Sequence, residues 1–187
     1  MGKTNILRRI NDQDFEPTKA TIGTELYVKD IRLKDESNKE VVVSLKIWDT
    51  AGAEKYKALA LSHIRNADGA FIVYDITNVN SFMSVHQWNE DLKASNNEDI
   101  TVFLLGNKRD LNGQRTVSEA EGRKKAKEEG FEDFCETSAK TKENIMEMFN
   151  KFYLKVYEKN KGKIIEKRNN NKLLFEKKKA SMNSICC

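Results

Sequence analysis

Hydrophobic and polar positions follow two periods along this chain. Glu25 to Leu33 ("ELYVKDIRL") and Glu40 to Thr50 ("EVVVSLKIWDT") are rich in β-branched residues and are joined by the polar "KDESNK", which predicts an antiparallel hairpin. Asp68 to Thr77 and Ile100 to Asp110 are near-continuous apolar runs, the pattern of strands covered on both faces in a parallel sheet. "FEDFCETSAK" (Phe131 to Lys140) predicts a shorter strand that ends in a polar loop.

Helical spacing alternates with these strands. Phe82, Val85, Trp88 and Leu92 recur at intervals of three and four, with Asn80 or Ser81 as the expected cap. Ser118 followed by Glu121 predicts a capping box, and Gly130 a helix end. Ile145, Met148, Phe149, Phe152 and Val156 share one face of a further helix. Strands alternating with helices of this length predict an α/β fold, a mostly parallel sheet flanked by helices. Ligands of such sheets bind at the carboxyl ends of the strands. Beyond Tyr157 the period decays, so the chain divides into a domain, 1–157, and a tail, 158–187, expected to be disordered.

Charge sharpens this division. The net charge is +4, yet Glu158 to Cys187 holds nine Lys or Arg against three Glu. The basic character therefore belongs to the tail. It points to an anionic membrane surface and away from nucleic acid, because no aromatic residues are interleaved with the lysines of a folded groove. No apolar run is long enough to span a bilayer, and no apolar stretch opens the chain, so a cytosolic setting is expected. Of three cysteines, Cys135 sits in apolar surroundings as an expected buried thiol, while Cys186 and Cys187 end the tail.

Four short stretches carry candidate chemistry. Gly2-Lys3-Thr4 opens a helix, whose free amides suit phosphate; the lysine would reach terminal phosphates and the threonine hydroxyl would ligate Mg2+. Asp49, in "WDTAG", would hold the metal through water, and the Gly52 amide would approach a terminal phosphate. In "GNKRD", Asp110 would accept both N–H groups of guanine, Asn107 would face the other edge, and the Lys108 stem would cover the ring. "ETSAK" would place the Ala139 amide near the guanine carbonyl, with Ser138 and Lys140 beside it in the guanine-binding set. Each stretch also has a plainer reading as a helix start, strand-to-loop turn, polar turn or helix cap. Their shared order, each but the first at a strand end, is what gives them weight.

With "GKT", "TIG" (Thr21 to Gly23), "LKIWDTAG", "YDITNVNSF", "GNKRD", "ETSAK" and the final "CC", the chain resembles the Rab family of Ras-like small GTPases. Trp48 and the double cysteine favour Rab over other branches. The resemblance implies a P-loop GTPase-like fold, GTP/GDP and Mg2+ as cofactors, and a switch in vesicle traffic. Thr21 becomes the metal-ligating switch threonine, Phe15 packs on the guanine, and Tyr56 to Arg65 forms the second switch. Effectors, exchange factors and activating proteins would read the switches. Cys186 and Cys187 become prenyl acceptors, served by prenylation and membrane-extraction machinery. The implied location is the cytoplasmic face of an intracellular membrane, cycling with cytosol.

Three departures from the family stand out. Ala53 occupies the position of the glutamine that orients the attacking water, so slow intrinsic hydrolysis is expected and no intact catalytic residue is assigned. A nucleotide-independent, lipid-anchored binding module is the rival reading. Leu26 stands where Rabs usually carry Phe. The resemblance also implies a strand and a Gly-rich turn ahead of Gly2, the strand lying between "KIWDT" and "FIVYD", whereas this sequence begins one residue before Gly2. Each buried backbone group left unpaired costs about 1–3 kcal/mol, against a total stability of about 5–15 kcal/mol. Poor folding and poor nucleotide binding are therefore expected unless another segment takes that place.

Overall fold

The computed structural model describes residues 1–17, 21–34, 38–51, 62–63, 65–95, 99–172, 180–181 and 185–186. The elements in chain order are α1 (Lys3–Ile10), β1 (Thr24–Lys34), β2 (Glu40–Thr50), β3 (Gly69–Asp75), α2 (Val79–Ala94), β4 (Thr101–Asn107), a 3-10 helix (Arg109–Gln114), α3 (Glu119–Glu129), β5 (Asp133–Glu136), α4 (Ile145–Lys172), β6 (Ala180–Ser181) and β7 (Ile185–Cys186). The sheet runs β1-β2-β7-β3-β4-β5, with β6 beside β2. Only the β1–β2 hairpin is antiparallel, in register from Thr24↔Thr50 to Lys34↔Glu40. This is the α/β architecture that the alternating pattern predicts.

Period-two alternation sorts the strand residues onto two helical layers. Phe71 and Val73 of β3, with Phe103 and Leu105 of β4, join Ile6, Leu7 and Ile10 of α1 and Phe149, Phe152 and Val156 of α4. Ile72, Tyr74, Val102 and Leu104 face the opposite way, against Phe82, Val85 and Leu92 of α2 and Ala126 of α3. Every residue of β3 and β4 is buried, which is why their sequences read as unbroken apolar runs. Tyr74 is the largest side chain sealed in the second layer. Its hydroxyl lies beside Gly106 and Gly122, where an added Cβ would collide with it, and has no hydrogen-bond partner among the described residues.

Local signals set the helix ends. The Ser118 hydroxyl accepts from the Glu121 amide while the Glu121 carboxylate accepts from the Ser118 amide, closing the capping box. Gly130 ends α3 at φ 76°, a left-handed conformation that costs glycine little. The cap of α2 is Asn78, whose side chain accepts from the Ser81 amide, and not the expected Asn80 or Ser81. The reason is geometric: Asn78 is extended and lies three residues before that amide, so its oxygen reaches the free N–H.

The tail departs most from expectation. α4 runs on to Lys172 where disorder was expected after Tyr157. Tyr157 and Asn160 are buried, and the Asn160 amide donates to the Val156 carbonyl at 3.0 Å, so packing carries the helix past the point where the apolar period fades. Farther on, β7 lies between β2 and β3, parallel to both. That is the position for which the sequence leads us to expect an unfilled gap. Cys186, expected in a free tail, has its backbone in the sheet, and Cys187 lies outside the described residues. Among the described residues no helix is long and apolar enough to cross a membrane.

Candidate functional site

The carboxyl ends of β2, β3 and β4 and the start of α1 converge on one edge of the sheet. Gly2 enters α1 at φ 92°, a conformation open to glycine, and a Cβ there would lie 2.7 Å from the Asn107 amide nitrogen. Lys3 and Thr4 follow in the first turn.

Three of the expected metal ligands meet. The Thr4 hydroxyl donates to Asp49 Oδ2 at 2.6 Å and lies 2.8 Å from the Thr21 hydroxyl. Asp49 is fully buried, and its other oxygen, Oδ1, has no partner among the described residues. Burial raises the Asp49 carboxyl above its ordinary value, partly offset by the Thr4 hydrogen bond and the Lys3 charge. The Ala51 amide donates to the Gly23 carbonyl at 2.9 Å, which holds the segment of Thr21 against the end of β2. Gly52 and Ala53 lie outside the described residues, as does most of the expected second switch.

The expected guanine contacts line a second pocket of about 420 Å³, within the usual size of small-molecule sites. Phe15, Asn107, Lys108, Asp110, Ala139 and Lys140 all border it. The Asn107 amide oxygen accepts from the Ala139 N–H at 3.2 Å and the Thr137 hydroxyl at 3.3 Å, while its nitrogen donates to the Met1 carbonyl at 2.9 Å. The Ser138 hydroxyl donates to Asp110 Oδ1 at 2.6 Å. Asp110 is exposed at the rim, not buried as the base-recognition reading supposes, because it lies in the 3-10 turn after β4 and not in the strand. Lys108 is left-handed at φ 70°, and its ammonium lies 2.5 Å from Asp75 Oδ2.

The supporting residues were not legible in the sequence. The Arg9 guanidinium donates to the Ala139 carbonyl at 2.8 Å and the Lys140 carbonyl at 3.1 Å, locking the loop after β5 onto α1. Asn5 bonds the backbone of Glu16 in both directions, and Arg8 donates to the Asp14 carbonyl, which sets the loop bearing Phe15. Beneath the same region, buried Glu136 takes Arg115 in two bonds at 2.5 and 2.8 Å. Arg8 and Arg9 read in sequence as ordinary basic residues near a helix end; only their aim distinguishes them.

Two comparisons bear on this arrangement. The family model described as "Ras family" matches residues 1–158. "Ras-related protein RGP2" of Oryza sativa subsp. japonica is 39% identical over 158 residues, which cover 84% of this chain and 70% of that protein.

Proposed function

This chain belongs to the Ras family, and on that premise we propose that it is a Rab-like small GTPase, a GTP/GDP switch tethered to the cytoplasmic face of an intracellular membrane in vesicle traffic. The observation that carries the reading is the meeting of Thr4, Thr21 and Asp49 around a buried carboxylate oxygen that lacks a partner among the described residues. Hydroxyl and carboxylate oxygens are hard ligands, and an octahedral Mg2+ suits them, so the donor set fits the metal the family uses. Bound there, the ion would neutralise phosphate charge. Thr4 and Thr21 would ligate it and Asp49 would hold it, directly or through water.

The residues of this chain have divided roles in that reading. The α1 amides from Gly2 onward and Lys3 face phosphate. Asn107 fixes the Ala139 amide toward the base carbonyl, Asp110 takes the guanine N–H groups, and Phe15 and the Lys108 stem sandwich the ring. Ser138 orients Asp110. Thr21 links the nucleotide state to the first switch, which effectors, exchange factors and activating proteins would read. Cys186 and Cys187 would carry the lipids, with the Lys-rich tail adding about 1 kcal/mol per basic residue near anionic lipid.

Ala53 has no group to orient water, so intrinsic hydrolysis is slow in this reading. The same residue favours the rival reading, a nucleotide-independent binding module. Titration of the purified chain with a fluorescent GDP analogue, with and without Mg2+, separates the two. Mg2+-dependent binding that GDP displaces and ADP does not supports the switch. Absence of binding at micromolar nucleotide by folded protein supports the module. In a chain that binds, Ala53→Gln should accelerate single-turnover GTP hydrolysis.

A further inference from the structure

One side chain ties two walls of the candidate base pocket to each other. The Arg9 guanidinium donates through Nε to the Ala139 carbonyl at 2.8 Å and through Nη2 to the Lys140 carbonyl at 3.1 Å. Its remaining nitrogen, Nη1, donates to the Gln13 carbonyl at 3.3 Å and to Asp14 Oδ1 at 3.1 Å. One edge of the fork thus holds the loop after β5, and the other arm holds the loop after α1. The Arg9 side chain is 9% exposed, so these four contacts stand in for most of its hydration.

Both loops border the pocket. Phe15 follows Asp14 directly, and Ala139 and Lys140 line the opposite wall. Ala139 is gripped from two directions: its N–H donates to Asn107 at 3.2 Å and its carbonyl accepts from Arg9. Each loop has anchors of its own, Asn5 and Arg8 on the first and Asn144, donating to the Glu136 carbonyl at 2.8 Å, on the second. Arg9 adds the bond between the loops. It does not itself border the pocket, so its influence on a bound ring runs through the walls. A planar guanidinium presents five donors in a fixed fork and can serve both walls at once; a lysine ammonium at the same place is a point charge that serves one.

We propose that Arg9 is a positioning residue for the nucleotide: by pinning both walls of the base pocket at once, it slows release of guanine nucleotide and leaves its capture unchanged. A ring held between Phe15 and the Lys108 stem, with its carbonyl on the Ala139 amide, leaves when one wall moves away from the other. The bridge opposes that movement and adds no contact to the ring. Its effect therefore falls on the dissociation rate, where most affinity differences between related complexes reside. The release claim rests on the nucleotide reading given under Proposed function; the bridge between the loops does not.

Stopped-flow release of a fluorescent GDP analogue from the full chain, chased with excess GDP in Mg2+, tests the proposal. Arg9→Met removes every donor and keeps an apolar stem. It should release the analogue at least about tenfold faster, with an association rate changed by less than about threefold. Arg9→Lys keeps the charge without the fork, and should release several-fold faster while its melting temperature stays within about 2 °C of the unaltered chain. A merely structural arginine gives the reverse pattern: the melting temperature and the bound fraction fall, and what remains bound leaves at the unaltered rate. That pattern overturns the proposal. If neither variant folds, Asp14→Ala decides, since Asp14 is 92% exposed and its loss removes one arm of the bridge. Release faster by about twofold or more supports the bridge, and unchanged release overturns it. An unaltered chain that binds no analogue defeats the nucleotide reading, and the release claim with it. Binding by the unaltered chain with unaltered release in the variants defeats the release claim alone.

Discussion

The Lys108 ammonium lies 2.5 Å from the Asp75 carboxylate, joining the end of β4 to the end of β3 beside the candidate pocket. Lys108 thereby has its charge held beside the sheet while its stem borders the pocket.

That pair has a pH signature. Burial pushes the Asp75 carboxyl up, but Lys108 and the Thr77 hydroxyl and amide outweigh it, so it titrates below its ordinary value. A depressed folded value means stability that is present above the unfolded pKa, near 3.9, and is lost as pH falls through the folded one. Urea midpoints followed downward from pH 6 should therefore fall more steeply below about pH 4 in the unaltered protein than in Asp75→Asn. At neutral pH the variant should lose roughly 1–2 kcal/mol. Parallel acid limbs would remove the pair from the account.

Asp49 carries the opposite sign. Its raised folded value means that ionised Asp49 lowers the stability of the metal-free protein as pH rises through that value. Asp49→Asn should therefore match or exceed the unaltered protein in melting temperature without metal at pH 7. The same substitution should abolish the melting-temperature rise produced by Mg2+ with GDP. In the unaltered protein that rise should shrink as pH falls, because protons compete with the metal for the carboxylate. An undiminished Mg2+ response in Asp49→Asn would remove Asp49 from the metal site.

Base selection should rest on Asp110. Asp110→Ala removes a charged acceptor for two N–H groups, a loss of about 100-fold in GDP affinity. Competition binding against a fluorescent GDP analogue measures it. Weak ADP binding should stay unchanged, so the ratio between the two nucleotides should collapse with the GDP affinity.

Arg115 and Glu136 form the most enclosed ion pair among the described residues that support the loop after β5. Arg115→Met leaves the buried carboxylate only the more distant Arg109, 3.8 Å away, and should cost roughly 3 kcal/mol in chemical denaturation. Adding Glu136→Gln should recover part of that loss, since the second change removes the poorly paired buried charge.

The sheet and its helices were legible because their signals are local. The apolar runs of β3 and β4, the Ser118–Glu121 box and the 3/4 spacing of α4 each name their own structure. The candidate site was legible because Thr4, Asp49, Asn107, Asp110 and Ala139 sit at element ends, where sequence order maps onto space. Arg9 was not, since its role depends on carbonyls 130 and 131 residues away. β7 was not either: "SIC" carries no alternation, and the segment takes strand form only because two buried strand edges stand ready on either side. Asn78 escaped because capping depends on its extended backbone, not on its residue type alone.

The Tyr74 phenol has a consequence for how this sequence can drift. Gly106 and Gly122 lie on different elements, yet the Tyr74 phenol stands against both, and the Phe134 ring closes Gly122 as well. Neither glycine can become alanine while the phenol stands, although nothing at either position requires a left-handed backbone. Tyr74→Phe alone opens neither position: the ring carbon that bore the hydroxyl stays 2.9 Å from a Cβ at Gly106, and the Phe134 ring stays 2.5 Å from one at Gly122. A change at Tyr74 therefore does not by itself license one at either glycine: Gly122 opens only when the Phe134 ring also gives way.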